Sequence, residues 1–199
     1  ITAIVASFDV NRLRPLIAEK LEMALGHPVQ LEHLELGWKD GMAVQVLGIT
    51  IGPHEAPLAE VEAASALVRL LPLLEKRLEI ASIVLVRPQM RASREANGEL
   101  NLAGLAPVAA PAAADAVRDE ASAVSFGIER FRIENGVLDW TDRTRQPPLS
   151  LKASRLNVTI GPITPGRPMD INIEAALAGD RPNLHLSGRL TWAEAAQPG

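Results

Sequence analysis

Two hydrophobic periods divide the chain near Pro28. Upstream, Leu13, Leu16, Ile17, Leu21, Ala24 and Leu25 recur at helical spacing, with Arg12, Arg14, Glu19, Lys20 and Glu22 largely opposite them. That pattern predicts one amphipathic helix over about Asn11 to Leu25. Asp9 or Asn11 can cap its start, Pro15 falls near the first turn where a missing amide costs little, and Gly26 followed by Pro28 supplies the stop. Downstream the period becomes two. Runs at about Val29 to Trp38, Ala43 to Ile51, Leu58 to Leu70, Leu78 to Ala92, Val124 to Glu134, Val137 to Thr141, Leu149 to Ile160, Met169 to Ala178 and Asn183 to Trp192 predict about nine strands.

Asp40-Gly41, Asn135-Gly136 and Pro165-Gly166 separate consecutive runs, and the Asp-Gly and Asn-Gly pairs carry the residues a tight hairpin needs for positive φ. Sequential hairpins predict an antiparallel meander. Between Leu70 and Leu78, Pro72 ends a ladder, and Leu71, Leu73, Leu74, Glu75, Lys76 and Arg77 predict a short helical crossover.

From Ala103 to Ser122 the composition shifts to Ala and Pro without periodicity, which reads as a disordered linker. The strand pattern after it repeats the one before. A shift of 48 lays Ile80, Ile83, Leu85, Pro88 and Met90 over Ile128, Phe131, Ile133, Gly136 and Leu138. A shift of 90 lays Val61, Ala63, Ala66, Val68 and Leu70 over Leu151, Ala153, Leu156, Val158 and Ile160. A repeated β unit is one way to write an extended architecture, although apolar alternations also match by chance. The expected organisation is a helix plus first β unit over 8–102, the linker over 103–122, a second β unit of the same sheet over 123–192, and a tail over 193–199.

The phase of the alternation carries more. The apolar series slips by one between Leu31 and Leu34, Ile80 and Ile83, Ile128 and Phe131, and Ala153 and Leu156. A slip turns side chains to the other face unless an extra residue is absorbed as a bulge, which bends and twists the strand. Bends repeated across neighbouring strands curl a sheet; misjudged strand ends give the same pattern. The expected fold is mainly β: one N-terminal amphipathic helix followed by a strongly curved antiparallel meander of about nine strands forming a hydrophobic groove.

Areas suggest what the groove is for. Nine strands at ~4.8 Å spacing and ~30 Å length present a face of roughly 1,300 Å². A helix ~22 Å long and ~10 Å wide covers only a few hundred Å² of it. The remainder must close on itself as a sandwich or barrel, or hold an apolar ligand. Aromatic residues make up only 3% of the chain, so the wall is Val, Ile, Leu and Ala, a smooth surface suited to acyl chains. The inward residues expected to line it are Leu34, Leu36, Val44, Val46, Ile83, Leu85, Phe131, Ile133, Leu156, Val158, Ile171, Ile173, Leu184 and Leu186.

Composition and chemistry narrow the classes. Twenty Lys and Arg against 24 Asp and Glu give a net charge of −4 with the charges scattered, which argues against a nucleic-acid partner. There is no cysteine, hence no disulfide, thiolate metal site or cysteine nucleophile. No run reaches the roughly 20 apolar residues of a membrane span. Ile1, Thr2, Ala3, Ile4, Val5 and Ala6 read equally as the end of a transmembrane anchor over 1–7 or as an ordinary terminus. His27, His33, His54 and His185 lack metal-ligand spacing, and Asp139 and Asp142 read as one solvated carboxylate and one turn residue. Phosphate loops and nucleophile elbows are missing, and Arg87, Arg91 and Arg94 read as a solvated face before they read as a headgroup site. No catalytic residue, metal ligand or cofactor is assigned, and the expectation is a protein that is not an enzyme.

The order of motifs resembles the N-terminal region of AsmA-family proteins. Phe8-Asp9-Val10-Asn11 precedes the helix and Leu25-Gly26-His27-Pro28-Val29 ends it; Leu70-Leu71-Pro72-Leu73-Leu74 is followed by Arg77-Leu78-Glu79-Ile80. Asn97-Gly98-Glu99-Leu100-Asn101 stands before the linker, and Phe131-Arg132-Ile133-Glu134-Asn135-Gly136 leads to the strand with Asp139 and Trp140. The resemblance implies an anchor in the bacterial inner membrane, a periplasmic body, and a curved sheet related to bridge-like lipid transfer proteins that open with a chorein-type domain. Phospholipid is the implied ligand, with a part in lipid transport and outer-membrane biogenesis. An alternative is an assembly module that binds other envelope proteins by edge-strand addition. The helix is expected to cap one end of the groove beside the membrane, with Leu16, Ile17 and Leu21 packed on the first strands.

Overall fold

The computed structural model describes residues 9–38, 42–69, 78–101, 126–164, 167–177 and 179–191. The segment 1–7, the Asp40-Gly41 and Pro165-Gly166 turns, the crossover before Leu78, the linker over 103–122 and the tail over 193–199 lie outside them.

The helical region forms in two pieces. A 3₁₀ turn, Val10–Leu13, starts where the Asp9 side chain accepts the Asn11 N–H at 3.0 Å, and helix α1, Arg14–Leu25, follows with Pro15 in its first turn. Gly26 ends it in the left-handed conformation at φ 67°, donating its N–H to the Glu22 carbonyl at 2.8 Å. The Glu22 carboxylate then accepts the Val29 N–H at 2.9 Å, fixing the entry into the sheet.

Among the described residues ten strands follow: β1 (Val29–Trp38), β2 (Met42–Ile51), β3 (Ala59–Val68), β4 (Leu78–Val86), β5 (Gln89–Arg94), β6 (Phe126–Ile128), β7 (Phe131–Asp142), β8 (Leu149–Gly161), β9 (Pro168–Leu177) and β10 (Leu184–Thr191). They form one sheet in the order β1-β2-β3-β4-β7-β8-β9-β10, with β5 between β3 and β7 and β6 beside β4. Strands on both sides of the segment 102–125 therefore share a single sheet.

Most pairings are antiparallel, as expected, but the centre is not a meander. β4 pairs with β6 and β7 in parallel, and so does β5 with β7. Their register is the 48-residue shift seen in the sequence: Ile80 lies opposite Ile128, Ile83 opposite Phe131, Leu85 opposite Ile133 and Met90 opposite Leu138. The repeat thus places equivalent apolar residues side by side. The 90-residue match has no such counterpart, because β3 and β8 lie on opposite sides of the parallel strands and do not pair.

Two further expectations are corrected. The run from Leu78 to Ala92 is two strands, broken at Arg87 and Pro88. Asn135-Gly136 is not a hairpin: β7 runs through it, and the break falls at Glu129 and Arg130. Asn135 adopts φ 59° with its N–H on Asn157 Oδ1, and the β7–β8 register shifts on either side of Gly136. Positive φ was read correctly there, but it serves a bulge within a strand.

Positive-φ residues line up with it. Gly48 on β2 (φ 60°), Arg87 between β4 and β5 (φ 49°), Asn135 on β7 (φ 59°) and Arg155 on β8 (φ 50°) mark one line of irregular backbone, the crease, from strand to strand. Glu62, opposite Gly48 on β3, sends its carboxylate to the Arg87 guanidinium in a bidentate pair. Beside it the buried Pro88 ring packs on Gly136, where a Cβ would stand 3.2 Å from Pro88 Cγ and 3.1 Å from Ile133 Cγ2. The expected slips Leu31–Leu34 and Ala153–Leu156 fall on this crease. Ile80–Ile83 is a separate bulge, at the shift between Leu67 and Val68 in the β3–β4 ladder.

Candidate functional site

The crease keeps apolar residues on one face. Directly opposed residues point to the same side of a sheet, so ladder partners can be followed from strand to strand. One such row runs Leu34–Val46–Ala64–Leu85–Ile133–Val158–Ile173–Leu186. Every member is apolar and the row crosses all strands of the main path. The next row, two residues along each strand, runs Leu36–Val44–Ala66–Ile83–Phe131–Ile160–Ile171–Gly188. Across the crease a third runs Val29–Ile51–Ala59–Met90–Leu138–Ala153–Leu177.

The opposite face is polar. Glu35–Gln45–Ser65–Val84–Arg132–Thr159–Asn172–Ser187 forms its corresponding row, with Val84 the one apolar member. This face carries ion pairs of Arg91 with Glu60 at 3.3 Å, Arg143 with Glu95 at 2.9 Å, Lys152 with Asp139 at 3.7 Å and Arg189 with Asp170 at 2.8 Å. Hydrogen bonds from Arg87 hold the Glu62 carboxyl below its ordinary pKa. The Ser93 hydroxyl first, then Arg143, do the same for Glu95, and the Thr144 hydroxyl and N–H lower Asp142. These are exposed surface pairs that orient side chains and add little stability.

Helix α1 covers one end of the apolar face. Ile17, Ala18 and Leu21 pack with Leu25 on Val29, Leu31, Ile49 and Val61, while Leu16 points away and is 52% exposed, contrary to expectation. Beyond the helix the cover thins. Leu34 is 1% exposed at the helix end, Val46, Ile83, Leu85, Phe131, Ile133, Ile160, Ile171 and Ile173 are half-buried, and Leu186 at the far edge is 56% exposed. A second buried group, Leu156, Val158 and Ala175, is backed by Met90, Ile133, Leu138 and Ile173.

A family model for AsmA matches residues 1–196. The chain belongs to the AsmA family. No curated protein matches it. AsmA-family proteins are proteins of the bacterial envelope, and membership suggests a lipid-related role there. Among the described residues of this AsmA-family chain, no helix is long and apolar enough to cross a membrane.

The fourteen residues chosen from sequence for the groove all sit on the apolar face of this AsmA-family sheet. Leu34, Val46, Leu85, Ile133, Val158, Ile173 and Leu186 share the first row, and Leu36, Val44, Ile83, Phe131 and Ile171 the second. Leu156 lies opposite Gly136, and Leu184 opposite Ala175. Sequence reading missed Ala64, Ala66 and Ile160, which complete the rows; their two-residue alternation was visible, but two are small. Arg87 and Arg91 pair with Glu62 and Glu60, and Arg94 reaches the Gly98 carbonyl. His33 stands 3.7 Å from Glu35 and His185 3.2 Å from Glu174, each on the polar side.

Proposed function

We propose that this AsmA-family chain is a non-enzymatic lipid-binding domain held at the periplasmic side of the bacterial inner membrane by an anchor preceding α1. Its task is to take part in phospholipid transport and outer-membrane biogenesis, with acyl chains lying in a groove along the apolar face and headgroups left in water. The observation that carries this reading is the unbroken apolar row from Leu34 to Leu186, covered by α1 at one end and half-buried through its middle. A packed core seals its central residues, and an ordinary surface does not align aliphatic side chains across eight strands. The wall offers shape and dryness but few directional groups, which suits ligands recognised by chain rather than by head. Photo-crosslinking amino acids placed at Leu85 and Ile133 in cells test it. Lipid adducts at both positions are expected; adducts confined to protein contradict the reading.

A further inference from the structure

Past the row Met90–Leu138–Ala153 the apolar face belongs to three strands only, because β3 starts opposite Met90 and β9 ends opposite Ala153. Two residues farther along lies Ala92–Trp140–Leu151, still apolar, and two beyond that Arg94–Asp142–Leu149. The ladder keeps all six on the face that carries the groove residues. Leu100, bridged to Arg94, joins that side. At this corner Leu100, Leu149 and Leu151 are between 38% and 53% exposed, and charged side chains stand directly among them.

The charges there do not balance. Asp142 is engaged within its own turn: Oδ1 accepts the Thr144 N–H at 3.0 Å and the Thr144 hydroxyl at 2.6 Å, and the side chain is only 13% exposed. Arg145 stands 3.7 Å from Asp142 Oδ2, beyond hydrogen-bond length, with its side chain 68% exposed. Arg94 spends one N–H on the Gly98 carbonyl at 3.5 Å and, among the described residues, has no ion-pair partner. The neighbouring acids are engaged elsewhere, Glu95 with Ser93 and Arg143, and Glu99 with Asn97. Two guanidinium groups thus share one carboxylate at the rim of an apolar surface. We propose that this corner is a headgroup site, in which Arg94 and Arg145 bind the phosphate of a phospholipid whose acyl chains run past Trp140 and Leu151 into the groove. A guanidinium fork matches the geometry of phosphate oxygens, and an indole beside it suits the boundary between a wet headgroup and dry chains. A free phosphate would need the arginines but has no use for the exposed leucines, so the amphiphile fits the whole corner. The inference rests on the lipid-binding reading and adds where the polar end of the ligand sits.

The test offers the delipidated chain an equimolar mixture of phosphatidylglycerol and diacylglycerol with identical acyl chains, and reads the bound fractions by native mass spectrometry. Wild type is expected to favour phosphatidylglycerol roughly tenfold, the scale of two partly exposed charge-assisted contacts. Arg94→Gln combined with Arg145→Gln is expected to bind both lipids about equally, with unchanged circular dichroism. Arg145→Gln alone, at an exposed side chain, is expected to remove part of the preference. Arg143→Gln removes the same charge from the polar side of the same rim and is expected to keep it. No preference in wild type, or a preference that survives the double variant, overturns the headgroup site and leaves the lipid-binding reading standing. Binding of neither lipid overturns both. Displacement of phosphatidylglycerol by inorganic phosphate at comparable concentration shows a free-phosphate site and overturns the lipid assignment.

Discussion

Arg87 and Asn135 occupy the same place in adjacent parallel strands, 48 residues apart, and both adopt positive φ, 49° and 59°. The Arg87 N–H donates to the Glu134 carbonyl and the Val137 N–H to the Pro88 carbonyl, each at 2.8 Å, so the two bulges are stitched together. Each bulge absorbs one residue of the alternation. That is why Ile133 and Gly136, three apart, serve the same face.

Left-handed backbone suits glycine and asparagine and is costly for β-branched residues. Asn135→Val is therefore expected to lower unfolding free energy by about 1–2 kcal/mol, while Asn135→Gly leaves it within about 0.5 kcal/mol. Urea denaturation of the two variants measures the difference. Equal losses contradict the assignment of Asn135 as a conformational choice.

Helix docking is tested at Ile17, which packs against the cluster of Leu25, Val29, Leu31, Ile49 and Val61. Ile17→Asp places an unpaired carboxylate against that cluster, with an expected cost of about 2–4 kcal/mol. Hydrogen exchange is expected to show lost protection in β1 and β2 with β8 and β9 little changed. Unchanged protection in Val29–Trp38 and Met42–Ile51 rules out the packing described.

Much of this was legible because it rests on periodicity. The helix, most strand positions, the face of each groove residue and the 48-residue register follow from where apolar residues recur. Asn135-Gly136 was misread because a hairpin and a bulge ask the same thing of the backbone, positive φ, and only the neighbouring strand distinguishes them. Its equivalent in the repeat, Arg87-Pro88, has no hairpin signature and was the better guide. Leu16 was misplaced because helical spacing fixes a stripe's width, whereas its centre depends on what lies beneath. The parallel pairing at the sheet centre needs the path of the chain between Asn101 and Phe126, which local pattern does not supply.

A pH dependence follows from Glu95, whose carboxyl is held below its ordinary pKa of 4.5 by the Ser93 hydroxyl and by Arg143. A depressed folded-state pKa contributes stability that is complete above the unfolded value and is lost as pH falls through the folded one. Wild type is thus expected to hold a constant advantage over Glu95→Gln above about pH 5 that shrinks below pH 4.5. Thermal denaturation across that range measures it. An advantage that grows on acidification contradicts the sign.

The central claim is that the apolar face binds acyl chains. Native mass spectrometry of protein purified without detergent tests it most directly. The account predicts adducts at phospholipid masses, lost on replacing Leu85 and Ile133 with Asp while circular dichroism remains that of a folded β protein. A clean unliganded mass for the folded wild-type protein would contradict it.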